Sequence, residues 1–237
     1  DLPTLTEDEL NKVKNSLTNA PKFYLIIDEI NRGDISRIFG ELVTLLEADK
    51  RLFAENELTV ILPYSKEKFG IPPNLYIIGT MNTADRSIAL IDVALRRRFG
   101  FVELMPNYEV LEEELLTDNL DSKVLELRKL AIDVLRAINS RIKEVYDRDH
   151  QIGHSYLIKL GEVKDYKMSV EKLKTIWYYE ILPLLQEYFY DSPEKLRKVL
   201  NGKFVEVGEN YFDFREEKDF VEALKEVAKL KTEGGES

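Results

Sequence analysis

The sequence of 237 residues contains no cysteine. Disulfide frameworks, thiolate zinc sites, iron–sulfur clusters and cysteine nucleophiles are therefore excluded. Histidine is almost missing too: His150 and His154 are the only two, which excludes a histidine-rich metal site. Glutamine occurs only at positions 151 and 186 while Glu and Lys abound, a skew that resembles thermophile proteomes. No apolar run approaches the roughly 18 residues of a membrane span, and no basic-then-apolar signal opens the chain. These absences exclude an integral membrane protein and give no sign of secretion, so a cytoplasmic location is expected. Positive charge is also short, with 34 Lys and Arg against 44 Asp and Glu and a net charge of −10. That balance argues against the whole chain acting as a nucleic-acid clamp, leaving Arg96-Arg97-Arg98 as the obvious local basic patch.

What is present is a globular composition, 44% hydrophobic and 33% charged, long enough for one large domain or two small ones. Up to about Pro106, short apolar runs alternate with helical stretches, the pattern of a parallel α/β sheet. The runs Phe23–Ile27 and Leu75–Ile78 are continuously apolar, as expected of strands buried on both faces. Residues 101–104 form a third, shorter candidate strand. Helices are predicted from Ser36 to about Asp49 and from Ile88 to Arg97, and a hairpin or edge strand around 58–62. From Asn107 the chain reads as mainly helical. Residues 122–147 carry apolar residues at 124, 127, 131, 134, 135, 138, 142 and 145, a long amphipathic stripe. A second helix over 169–190 contains Pro183, predicted to kink or break it. Ser192 is predicted to cap a helix opening at Pro193. A small hairpin (203–207 with 211–214), a charged helix (216–231) and a disordered tail (232–237) complete the reading.

Chemistry concentrates at strand ends. The first strand runs into Asp28-Glu29, two carboxylates at the carboxyl edge of a parallel sheet, where ligands bind. Such a pair suits phosphoryl transfer, with the aspartate holding hydrated Mg²⁺ and the glutamate polarising the attacking water. A solvated Asp-Glu turn is the structural alternative. The second strand runs into Asn82, able to orient that water or to contact a terminal phosphate; a turn asparagine is the plain alternative. A helix ends in Arg96-Arg97-Arg98. Cations complement a helix C-terminus, but one helix end does not need three of them.

In this order these elements resemble the AAA+ NTPases: Asp28-Glu29 matches the Walker B motif, Asn82 the sensor-1 position and the arginines before Phe99 the arginine-finger region. The strings Asp28-Glu-Ile-Asn-Arg-Gly33, Met81-Asn-Thr-Ala-Asp-Arg-Ser87, Ala94-Leu-Arg-Arg-Arg-Phe99 and Gln151-Ile-Gly-His-Ser-Tyr156 narrow the resemblance. They are similar to the McrB family, the GTPase motor subunits of modification-dependent McrBC restriction systems, over roughly residues 21–190. The resemblance implies an α/β fold: residues 1–106 as the later part of an AAA+ parallel-sheet domain, and 107–231 as a helical lid. It also implies GTP as substrate (with ATP possible), Mg²⁺, a hexameric ring, a McrC-like nuclease partner and DNA translocation. Glu29 and Asn82 take catalytic roles and Asp28 the metal, with Arg97 and Arg98 as candidate fingers acting on a neighbouring subunit. Arg86, beside Asp85, is the next candidate for such a contact. His154 lies in a loop that the family places near the nucleotide or the neighbouring subunit; a hydrogen-bonded core histidine is the alternative. The aromatic runs Trp177–Tyr179 and Tyr188–Tyr190 are expected to pack the lid rather than to stack on bases, and Glu112–Glu114 to be a solvated face.

One departure stands against these matches. No Gly-x-x-x-x-Gly-Lys-Ser/Thr occurs, so the backbone cradle for phosphate and its lysine are missing. The phosphate loop is expected upstream of Asp1. Without the strand that bears it, strand edges are expected to be left unpaired in mid-sheet. These residues alone are then expected to be inactive. A remodelling ATPase of the dynein- or MoxR-related kind, or a non-catalytic assembly module, are the competing readings.

Overall fold

The computed structural model describes residues 6–18, 20–84, 93–208 and 212–229. The chain divides into two compact units, Asp1–Val102 and Glu103–Ser237.

The first unit opens with helix α1 (Glu7–Thr18), whose start is closed by a reciprocal cap. Glu9 N–H donates to the Thr6 hydroxyl, and Thr6 N–H donates to the Glu9 carboxylate at 2.9 Å. Strand β1 (Phe23–Ile27) follows; then come helix α2 (Ile35–Phe39), the antiparallel strands β2 (Val60–Ile61) and β3 (Lys68–Phe69), and strand β4 (Leu75–Gly79). β1 and β4 pair in parallel from Phe23↔Leu75 to Ile27↔Gly79, and they pair with no other strand among the described residues. Among the described residues both outer edges are therefore open, and of these only the β4 edge was expected. The two strands are not buried on both faces as predicted: Phe23 is 60% exposed and Ile26 66%. Ile27, Leu75 and Ile77 pack against a small core of Ile30, Ile35, Leu45, Leu46, Ile71 and Leu95. On the other face Tyr24, Ile26, Tyr76 and Ile78 stand bare, with Tyr24 stacked on Tyr76.

Two further expectations for this unit need correction. The helix predicted over 36–49 stops as α-helix at Phe39, because Gly40 takes φ +50°, and continues as 3-10 turns over Gly40–Leu46 and Ala48–Lys50. Residues 101–104 form no strand, since no partner strand lies beside them among the described residues. Of the helix predicted over 88–97, the described part is α3 (Val93–Arg96).

The second unit packs α4 (Tyr108–Leu115) against α5 (Ser122–Val145), with α6 (Ser155–Ile158), α7 (Tyr166–Ile176), α8 (Leu182–Tyr188), α9 (Pro193–Val199) and α10 (Phe220–Ala228) around them. Strands β5 (Val205–Val207) and β6 (Phe212–Phe214) make the predicted hairpin. The stripe of α5 is buried at Val124, Leu127, Ala131, Val134, Leu135, Ile138 and Ile142. Within it Arg128 is fully buried; its Nη1 donates to Leu115 O (2.8 Å) and its Nη2 to Leu160 O (2.9 Å) and Val163 O (2.7 Å). Pro183 breaks nothing. A π-turn over Trp177–Ile181 joins α7 to α8, and the proline sits in the first turn of α8, where its missing N–H costs least. Ser192 precedes α9, but its side chain does not cap it; its hydroxyl donates to Asp191. The aromatic runs are split between core and solvent: Trp177 and Phe189 are buried, while Tyr179 and Tyr190 face solvent. The tail at 232–237 lies outside the described residues.

Candidate functional site: the carboxylate turn and the facing loop

Parallel pairing brings the two strand ends level, so that the residues after Ile27 meet those after Gly79. The chain leaves β1 through Asp28 and turns at Glu29, which adopts the left-handed conformation (φ 49°, ψ 48°). That conformation costs a non-glycine residue roughly 1 kcal/mol. The turn is held by hydrogen bonds to one facing residue. Thr80 N–H donates to Ile27 O (3.0 Å), and Ile30 N–H donates to Thr80 O (2.9 Å). Glu29 N–H donates to Thr80 Oγ1 (2.9 Å), and the Thr80 hydroxyl donates to Asp28 Oδ1. Gly79 is required beside it, since a Cβ there would lie 2.9 Å from Ile30 Cγ2.

The turn of the sequence-predicted carboxylates and the loop that carries Asn82 are therefore brought together. Asp28 is exposed; one oxygen accepts from Thr80, and no bond of the other is seen among the described residues. A single exposed hard-oxygen donor suits Mg²⁺ that keeps most of its own water. The described residues contain no group of three or more acidic or histidine side chains able to cage a metal. Glu29 is half-buried and its carboxylate pairs with Arg32 three residues on. Asn31, buried, donates from Nδ2 to Asn82 O at 3.3 Å and so ties the two loops a second time. The Asn82 side chain is exposed and accepts from Ala84 N–H at 3.1 Å, an Asx turn within its own loop.

The arginines part company. Arg96 lies over the Phe101 ring, 5.7 Å from its centroid, and Arg98 Nη2 lies 2.6 Å from Glu47 Oε1. Arg97 is exposed and has no carboxylate partner among the described residues. Asp85 and Arg86 lie outside the described residues. In the second unit His154 Nδ1 accepts from Asn107 N–H at 3.1 Å. A neutral ring that accepts at Nδ1 carries its proton on Nε2, which is left as a donor. Asn107 in turn caps α4, accepting from Glu109 N–H at 2.9 Å and from Val110 N–H at 3.3 Å. Thr80, Asn31 and Arg32 were missed in the sequence reading. The signal for Thr80 was its place directly after a buried-type strand, level with Asp28 once the two strands pair in parallel.

Comparison with known proteins matches the chain in two stretches. Residues 5–99 match the family model of the AAA domain (dynein-related subfamily), and residues 130–197 match the alpha-helical lid domain of McrB. The chain is 40% identical over 185 residues to the type IV methyl-directed restriction enzyme EcoKMcrB subunit of Escherichia coli K12. The chain belongs to the McrB family of AAA+ proteins. It is also 31% identical over 200 residues to the type II restriction enzyme BsuMI component YdiS of Bacillus subtilis 168. These alignments take in 76% and 78% of this chain but only 39% and 53% of the two relatives. Asp28, Glu29, Thr80, Asn82, Arg97 and Arg98 fall inside the matched AAA stretch, and His154 falls inside the matched McrB lid.

Proposed function

We propose that this chain carries the hydrolytic centre of a McrB-type motor that turns over GTP and drives DNA translocation for a nuclease partner. The observation that supports the reading is the meeting of the Asp28-Glu29 turn with the loop of Thr80 and Asn82 across the parallel β1–β4 pair. Asp28 would hold hydrated Mg²⁺, which when bound neutralises charge on the substrate phosphates. Glu29 polarises the attacking water, and Asn82 orients that water or contacts the terminal phosphate. Arg97 reaches a neighbouring subunit in a hexameric ring, where a guanidinium stabilises charge building on the transferred phosphoryl group. His154, with its proton on Nε2, donates toward the nucleotide or the neighbour.

The chain holds no Gly-x-x-x-x-Gly-Lys-Ser/Thr, so this reading requires a phosphate cradle supplied from outside these residues. The match to a dynein-related AAA domain supports a second reading, an ATP-driven remodelling motor. Competition between GTP and ATP on the assembled motor separates the two: preferential GTP turnover supports the first reading, and preferential ATP turnover replaces it with the second.

A further inference from the structure

The β1–β4 crossing is held together twice over, and the two sets of bonds have different jobs. The Thr80 backbone, through its bonds to Ile27 O and from Ile30 N–H, continues the strand pairing. The Thr80 side chain does something the sheet does not need: it accepts from Glu29 N–H and donates to Asp28 Oδ1. A hydroxyl has one proton to give and lone pairs to receive, so one group can fix both carboxylate residues at once.

We propose that Thr80 is a positioning residue for hydrolysis, its hydroxyl setting the metal-side Asp28 and the water-side Glu29 in fixed relation. This rests on the roles given to Asp28 and Glu29 above. Pinning one Asp28 oxygen leaves the other directed outward and spares the carboxylate a rotational choice when Mg²⁺ arrives. Holding the Glu29 amide keeps that residue in its left-handed conformation, which it would otherwise leave for a cheaper one. Hydroxyls that orient a ligating or reacting group behave as its outer partners do elsewhere, where removal costs 10–100-fold in metal affinity or activity.

The test uses the assembled motor with Thr80→Val and Thr80→Ser. Valine keeps the shape and the backbone bonds but has no hydroxyl; serine keeps the hydroxyl. For Thr80→Val, kcat is expected to fall roughly 10–100-fold with KM changed little. In a Glu29→Gln background, where binding is read without turnover, the Mg²⁺ concentration for half-maximal binding of a fluorescent GTP analogue should rise by a similar factor. Thr80→Ser should restore both to within a few-fold. Unchanged kcat and Mg²⁺ dependence in Thr80→Val, or a serine variant as impaired as valine, would overturn the proposal. Should the valine variant fail to fold, Thr80→Ala against Thr80→Ser decides in the same way. Glu29→Gln alone is the control for the underlying reading: normal hydrolysis there sinks the role of Glu29, whereas loss there beside an intact Thr80→Val sinks Thr80 only.

Discussion

Arg98 and Glu47 form an ion pair of 2.6 Å in which the arginine side chain is largely withdrawn from solvent, while its neighbour Arg97 points outward. Adjacent guanidinium groups thus have different employment. Arg98 ties the end of α3 to Glu47, between the two 3-10 segments, and Arg97, which has no carboxylate partner among the described residues, is the one proposed to serve another subunit. Arg97→Ala should lower turnover about 10³–10⁵-fold and leave nucleotide binding by a single subunit largely intact. Arg98→Ala should act mainly on melting temperature. Mixing Arg97→Ala with Glu29→Gln subunits in one ring should restore part of the activity, because some interfaces pair an intact Glu29 with an intact Arg97. Mixed rings no more active than either mutant alone would count against an arginine acting in trans.

Residues 1–237 by themselves should bind nucleotide poorly, because no pair of carboxylates replaces a cradle of backbone N–H groups. Isothermal titration with GTP and Mg²⁺ should give no saturable heat at micromolar ligand. Micromolar binding would mean that another part of this chain holds phosphate.

Arg128 stabilises the second unit through three carbonyls: Leu115 at the end of α4, Leu160, which also accepts from Val163 N–H (3.3 Å), and Val163, which also accepts from the Ser169 hydroxyl (3.2 Å). Burial lowers the pKa of its guanidinium, which nevertheless stays charged at neutral pH. Arg128→Met keeps most of the stem but strands Leu115 O and takes one donor each from Leu160 O and Val163 O, a loss of about 1–3 kcal/mol. Urea denaturation would measure it. A loss below about 1 kcal/mol would mean that water takes the place of the guanidinium.

Asp147 accepts from the His150 ring (2.7 Å) and from the backbone N–H groups of Asp149 (2.9 Å) and His150 (3.0 Å). Burial pushes its pKa up, but the bonds from His150 and Asp149 outweigh it, and the net direction is down. A carboxyl with a depressed folded pKa contributes stability above its unfolded value near 3.9 and loses it as pH falls through the lower folded value. The stability difference between the native chain and Asp147→Asn should therefore be constant above about pH 5 and shrink as pH falls below about 4. Denaturant midpoints across that range test it; a difference independent of pH would remove Asp147 from the acid response. The same cluster packs the His150 ring against Tyr188, whose hydroxyl burial pushes up to about 12.

Strands β1 and β4, the long α5 stripe and the approach of the Asp28-Glu29 turn to the loop bearing Asn82 were legible because each leaves a local trace: an unbroken apolar run, a 3.6-residue period, or a polar residue directly after a run. What was not legible depends on partners that are distant in sequence. Nothing near Thr80 announces that its hydroxyl faces Asp28, since that follows only from the register of β1 on β4. Arg128 was not singled out from the sequence, because its role depends on the distant carbonyls of Leu115, Leu160 and Val163 that receive its guanidinium. Apolar runs predict burial, yet Phe23 and Ile26 are exposed, because a strand is buried only when other elements cover it. Pro183 was read as a kink or a break because proline removes a helical donor; the π-turn before it lets the helical run continue into α8.

The division of labour between the two adjacent carboxylates is tested most directly by steady-state hydrolysis and equilibrium binding on one set of variants of the assembled motor. Glu29→Gln keeps the shape and removes the base, so nucleotide binding should persist while hydrolysis falls roughly 10²–10⁴-fold. Asp28→Asn should instead weaken Mg²⁺-dependent binding. Equal loss of binding in both variants, or hydrolysis retained in Glu29→Gln, would contradict the assignment.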